Sequence, residues 1–202
     1  MILRITILTL LALLASCASK PPKNPSDICS MFEERRSWYK AAVRTEKRWK
    51  VPVHVSMAFI QQESAYKAGA KPPRKRYFGF IPGFRPSSAY GYAQVLDETW
   101  KEYKHQAGNW GARRSDFSDA VDFVGWYNSR SYKKNGIGRN DAYNLYLAYH
   151  EGNGGYARRT YEQKAWLMDV ARKVQRNADS YQRQYQQCEK ALGRNWFMRL
   201  LF

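Results

Sequence analysis

Glu63 closes the segment Phe59-Ile60-Gln61-Gln62-Glu63-Ser64-Ala65-Tyr66, and its place there gives it chemical potential. A carboxyl at the C-terminal end of an apolar helix lies near the core and beside a loop, and desolvation there raises its pKa. A carboxyl that keeps its proton near neutrality can donate it to a leaving oxygen. By itself, a Glu-Ser pair reads equally well as a solvated helix end. Two downstream segments add polar and aromatic candidates: Ala89-Tyr90-Gly91-Tyr92-Ala93-Gln94-Val95, with Thr99-Trp100 behind it, and Tyr146-Leu147-Ala148-Tyr149-His150-Glu151-Gly152-Asn153-Gly154-Gly155-Tyr156. Gln94 offers both a donor and an acceptor to a ligand, or braces a turn. Tyr149 can donate to the Glu63 carboxylate or to a ligand, or fill the core. Ser64 can orient Glu63 or bond locally to the backbone. Tyr90 and Tyr127 are further aromatic candidates. Glu151 is either a second carboxylate at the site or a salt-bridged structural group near a helix end.

These residues need a scaffold, and the pattern predicts a mainly helical one. With Ser26 or Asp27 as N-cap, one helix is expected to run to about Lys50. Pro52 then suits the first turn of a second helix reaching about Tyr66. Prolines 72, 73, 82 and 86 and glycines 69, 79 and 83 break residues 67–88 into a long loop, basic through Lys71, Arg74, Lys75, Arg76 and Arg85. Loops of that length in compact domains are usually functional. Helical patterns follow at about 96–107, 118–134, 140–151 and 159–191, with no internal repeat and no alternating strand run. The chain is 15% aromatic, with 15 Tyr and 7 Trp. That composition suits a groove that stacks flat rings, and equally a ring-filled core.

The first residues form an address. Arg4 precedes the apolar run from Ile5 to Ala15, too short to span a bilayer but suited to a signal segment. Leu14-Ala15-Ser16-Cys17 resembles the lipobox of bacterial lipoproteins, in which the cysteine thiol becomes lipidated; an ordinary secretory cleavage site is the alternative. Lipidation of Cys17 leaves Cys29 and Cys188 to pair in an oxidising compartment. The expected organisation is a leader over 1–16, a flexible tether over 17–26, one catalytic domain over 27–192 and a basic, aromatic tail over 193–202. No CxxC pair exists, and His54, His105 and His150 show no ligand spacing, so neither a metal site nor a cofactor is expected.

Taken in order, the three blocks resemble the SLT-type lytic transglycosylases, which share a lysozyme-like fold related to goose-type lysozyme. Glu63 and Ser64 match the Glu-Ser pair that ends the family's catalytic helix. Gly91 and Gln94 match its Gly-x-x-Gln segment, and Ala148, Tyr149, Gly152 and Gly154 match the segment that lines the groove. His150 and Glu151 depart from the family's Asn and Ala, and Tyr92-Ala93 from the Met that usually precedes the glutamine. This marks a divergent branch. The resemblance spans about residues 50–160 and implies a single glutamate acting as acid, then base, on peptidoglycan strands, with Ser64, Tyr90, Gln94, Tyr127, Tyr149 and Glu151 as binding candidates. A water-using muramidase and a catalytically silent glycan-binding lipoprotein are the other readings.

The net charge of +17 attracts polyanions. For an exported chain these are anionic lipids and the carboxylates of peptidoglycan stem peptides rather than nucleic acid. The expected location is the periplasm, lipid-anchored to the outer membrane.

Overall fold

The computed structural model describes residues 20–194. The leader, Cys17 and tail residues 195–202 lie outside the described residues. Among the described residues, seven α-helices carry the fold: α1 (Ile28–Glu34), α2 (Arg36–Trp49), α3 (Val53–Ser64), α4 (Asp97–Ala107), α5 (Phe117–Asn135), α6 (Ala142–Ala157) and α7 (Ala165–Gly193). A 3-10 turn, Thr160–Gln163, joins the last two.

Helix α3 is central. Every residue from Val53 to Ile60 is buried, as expected for a helix without a solvent face, and α2, α5 and α7 pack around it. Helix α7, about 44 Å long, buries Leu167, Ala171, Val174, Ala178, Tyr181 and Tyr185 at alternating spacings of four and three. That single stripe lies against α1, α3 and α6. Asp27, Asp116 and Asp141 cap α1, α5 and α6 by accepting backbone N–H bonds. Gly125 lets α5 approach α2, because a Cβ there would meet Thr45 Cγ2 at 2.4 Å. Much of the aromatic surplus fills the core: Trp38 stacks on Phe117 at 3.9 Å, and Tyr66 and Tyr92 pack around Trp38.

Three sequence expectations need correction. The helix expected over 27–50 breaks at Arg35 (φ −131°, ψ 73°). There the guanidinium sits over the Trp38 ring and donates to the Lys20 and Pro21 carbonyls. The second helix stops at Ser64 rather than Tyr66, because Ala65 and Tyr66 both take positive φ. Residues 67–88 contain an antiparallel pair, β1 (Arg76–Tyr77) and β2 (Ile81–Pro82), too short to leave an alternating pattern.

The segment ahead of α1 was expected to be a solvated tether, yet residues 20–26 run along the domain. Pro22 is buried, Lys23 N–H donates to Glu34, and the Pro25 carbonyl accepts from both Gln61 and Tyr181. Cys29 and Cys188 form a disulfide that joins α1 to α7 across 159 residues, with Cα atoms 6.0 Å apart.

Closing so long a loop restricts the unfolded chain by up to about 5 kcal/mol. Replacing Cys29 and Cys188 with Ser should therefore lower unfolding free energy by roughly 2–5 kcal/mol, read as a lower urea midpoint. An unchanged midpoint would mean that the bridge contributes nothing.

Candidate active site

Glu63 is the penultimate residue of α3, and it lines a cleft of about 620 Å³. The walls come from four sources: Gln94 and Val95 from the loop before α4, Thr99 from α4, Phe123 and Tyr127 from α5, and Tyr149 through Gly152 from α6. Pro72 and Ala89, from either side of the hairpin, complete the rim. The Glu63 residue keeps partial solvent contact, while protein surrounds its carboxyl on nearly every side. Burial therefore pushes its pKa up to about 7, against a smaller downward pull from a hydrogen bond with the Tyr146 hydroxyl. Such a carboxyl holds a proton near neutrality and can also function as the carboxylate.

The end of α3 is held in an uncommon conformation. Ala65 (φ 49°) and Tyr66 (φ 61°) are consecutive residues in the left-handed region, which L side chains adopt at a cost. The buried Tyr66 hydroxyl lies 3.1 Å from both the Met57 carbonyl and the Tyr181 hydroxyl, which fixes the turn.

Gln94 is placed by a tight loop. Gly91 has φ 79°, and a Cβ there would meet the Arg114 carbonyl oxygen at 2.1 Å, so only glycine fits. Gly91 N–H donates to Ala70, and Tyr92 N–H donates to Arg114. Gln94 itself has φ 47°. Its amide nitrogen donates to the Ala70 and Gly91 carbonyls at 2.9 and 2.7 Å. Both hydrogens are committed to the backbone, so the group it offers a ligand is its oxygen.

The tyrosines divide their tasks differently from the sequence expectation. Tyr149 lines the cleft, but its hydroxyl donates to the Ala93 carbonyl at 2.7 Å and not to Glu63. Tyr146, one helical turn earlier, makes the hydrogen bond to Glu63. It is buried and does not line the cleft, so it supports the carboxyl from behind. Sequence reasoning missed it. Its spacing of three from Tyr149 on one helix face was the available signal. Phe59 packs edge-on against both rings at 5.4 and 5.3 Å, fixing them relative to α3. Tyr127 lines the cleft and donates to the Ala148 carbonyl.

Ser64 and Tyr90 are elsewhere. The buried Ser64 hydroxyl donates to the Ile60 carbonyl one turn back, and the residue does not line the cleft. Tyr90 lines two neighbouring cavities, of about 610 and 300 Å³, with Lys71 and Arg114 cations against its ring.

Glu151 resolves towards the structural reading. Its side chain is only 4% exposed and bonds Lys164 at 2.7 Å, with His150 Nδ1 at 3.1 Å and the Thr160 hydroxyl as further partners. Burial pushes its pKa up, but the bonds from Lys164, Thr160 and His150 outweigh this and hold it at about 2. It stays ionised at neutral pH and cannot serve as a proton donor there. The His150-Glu151 departure from the family pattern thus forms an ion network that ties α6 to Lys164, at the start of α7. Gly152 follows with φ 74° and ψ 156°, kinking α6 in a conformation that is essentially reserved for glycine. Among the described residues, no group of three or more His, Cys, Asp or Glu side chains is placed to hold a metal ion.

A family model described as Transglycosylase SLT domain matches residues 5–188. The chain belongs to the transglycosylase SLT domain family. The mainly helical architecture is accordingly that of an SLT lysozyme-like domain, of transglycosylase type and directed at peptidoglycan. No curated protein matches the chain.

Two outcomes test the electrostatics of the SLT site. Folded Glu63 holds its proton up to about pH 7, whereas an unfolded glutamate releases it near about 4.3. The folded state binds the extra proton between these values, so this contribution to stability is complete below about pH 4.3 and is lost as pH rises towards 7. Glu63→Gln, fixed in the neutral form, should then be more stable than the parent by up to roughly 3 kcal/mol at about pH 8, with no gain below about pH 4. Urea unfolding at both pH values measures this, and equal stability at the higher pH contradicts it. Tyr146→Phe removes a bond that favours the carboxylate, so carbon NMR should show the Glu63 titration moving up. A downward movement would mean that Tyr146 is not its donor.

Proposed function

We propose that this chain is a lytic transglycosylase that cleaves the β-1,4 bond between N-acetylmuramic acid and N-acetylglucosamine. The observation that carries this reading is geometric: Glu63 presents an enclosed carboxyl at the cleft, while both oxygens of Glu151 on the same cleft are taken up by Lys164, Thr160 and His150. Among the described residues that line the cleft, Glu63 is left with no second free carboxylate, which suits an intramolecular reaction, whereas hydrolases normally use two carboxyls.

Glu63 donates its proton to the glycosidic oxygen as the bond from C1 to that oxygen breaks. The muramoyl C6 hydroxyl attacks C1 and returns its proton to the Glu63 carboxylate. The product is a 1,6-anhydro sugar, no water is consumed, and the glutamic acid is regenerated. Gln94 presents its oxygen to an acetamido N–H, and Tyr127 and Tyr149 supply the ring faces of the groove. Glu151 holds the α6 wall in place. The leader and Cys17 deliver the enzyme to the periplasm as a lipoprotein of the outer membrane.

Digestion of purified sacculi should release muropeptides lighter by one water than reducing-end products. The rate should fall as pH rises beyond about 7, where Glu63 loses its proton. Glu63→Gln should reduce release on the order of a hundredfold or more. Products at the reducing-end mass would identify a muramidase instead. Undiminished release by Glu63→Gln would remove Glu63 from the chemistry.

A further inference from the structure

The segment between the catalytic helix and the Gln94 loop carries a feature that the cleft chemistry does not use. Its hairpin displays Phe78, Phe84 and Phe80 at 89%, 85% and 74% exposure, with Tyr77 and Ile81 also exposed. Ordinary surfaces carry apolar side chains singly, and a cluster of this kind marks a contact site. The turn is built to present them. Phe80 N–H bonds the Tyr77 carbonyl across Phe78 (φ 52°) and Gly79 (φ 80°). A hairpin turn with positive φ at both central residues favours Asn or Gly first, yet here the first position holds a phenylalanine in an unfavourable backbone region with its ring in solvent. Below the tip the stem is closed by Lys75 N–H to the Phe84 carbonyl and Gly83 N–H to the Lys75 carbonyl.

The charge around the rings selects the partner. Residues 67–88 contain six cations, Lys67, Lys71, Arg74, Lys75, Arg76 and Arg85, and no acidic residue. Convex phenylalanines above a collar of Lys and Arg match the two attractions of an anionic bilayer, apolar burial at the acyl boundary and electrostatic attraction to the headgroups. A sugar strand would be met by rings lining a groove beside hydrogen-bonding groups, as in the Glu63 cleft. We propose that the 74–85 hairpin is a membrane-docking finger, inserting Phe78, Phe80 and Phe84 into an anionic phospholipid surface. Because Pro72 and Ala89 at its base also line the cleft, docking holds the cleft beside the bilayer at a fixed orientation. The inference is independent of the Glu63 chemistry and of any acyl group on Cys17.

The chain from residue 17 onward retains the disulfide and the whole core of the described residues, so this chain, carrying Cys17→Ser, serves as the parent for flotation with vesicles. It should float with vesicles of phosphatidylglycerol and phosphatidylethanolamine, less so as salt is raised, and poorly with phosphatidylcholine alone. Phe78→Ser, Phe80→Ser and Phe84→Ser together should lower partitioning on the order of tenfold or more, with melting temperature and release from soluble glycan strands unchanged. Replacing Arg74, Lys75 and Arg76 with Gln should reduce binding to the anionic vesicles alone. Equal flotation of the triple-serine variant would overturn the proposal, since charge or the tail would then suffice. So would a parent that ignores vesicles but is held by an envelope protein through these phenylalanines.

Discussion

Tyr66 turns back beneath the helix it follows, and its hydroxyl meets the Met57 carbonyl and the Tyr181 hydroxyl inside the core. The contact joins the end of α3 to α7 and, through Tyr181 and the Pro25 carbonyl, to the segment that enters the domain. Without that anchorage, two successive left-handed residues would relax towards a more ordinary helix end, and Glu63 would lose its fixed position. The buried length of α3 and the pinned turn together explain how an acidic side chain is kept among aromatic rings. The helix has no solvent face along which to rotate, and the turn leaves it no room to slide.

The groove wall opposite is assembled by the same economy of backbone contacts. Gln94, Tyr149 and Tyr127 all donate to main-chain carbonyls of neighbouring segments, so the polar groups that shape the cleft also stitch its walls together. A rigid lining of this kind costs little reorganisation when a strand enters. The network of Glu151, Lys164, Thr160 and His150 plays the corresponding part for α6, converting a carboxylate at the cleft into a strut.

Much of this was legible in the residue pattern, and the exceptions have physical reasons. The helical scaffold follows from periodicity, while Glu63 and Gln94 stand out only through the order of three blocks that resemble one family. The break at Arg35 does not, because it depends on tertiary contacts with Trp38 and the chain near Lys20 that no local pattern records. Spacing also could not decide between Tyr146 and Tyr149, since both lie on one face of α6 and only the depth of each ring separates their hydroxyls. Ser64 was a candidate through its match to the family's Glu-Ser pair, with a local backbone bond as the alternative, and its hydroxyl takes that alternative by donating to the carbonyl one turn back. The β1–β2 pairing escaped because two residues per strand cannot display a period.

The cystine and the run of chain before α1 have a mechanical meaning. A pull on the backbone ahead of residue 20 first meets Arg35, whose guanidinium grips the Lys20 and Pro21 carbonyls, and then the bond of Lys23 to Glu34. Beyond these, Cys29 is joined covalently to Cys188, so the load also enters α7 directly. The opposite end of that helix begins at Lys164, the residue that holds Glu151. Tension applied ahead of residue 20 would therefore enter one long helix that reaches the rim of the cleft at its other end and whose buried stripe also packs on α3.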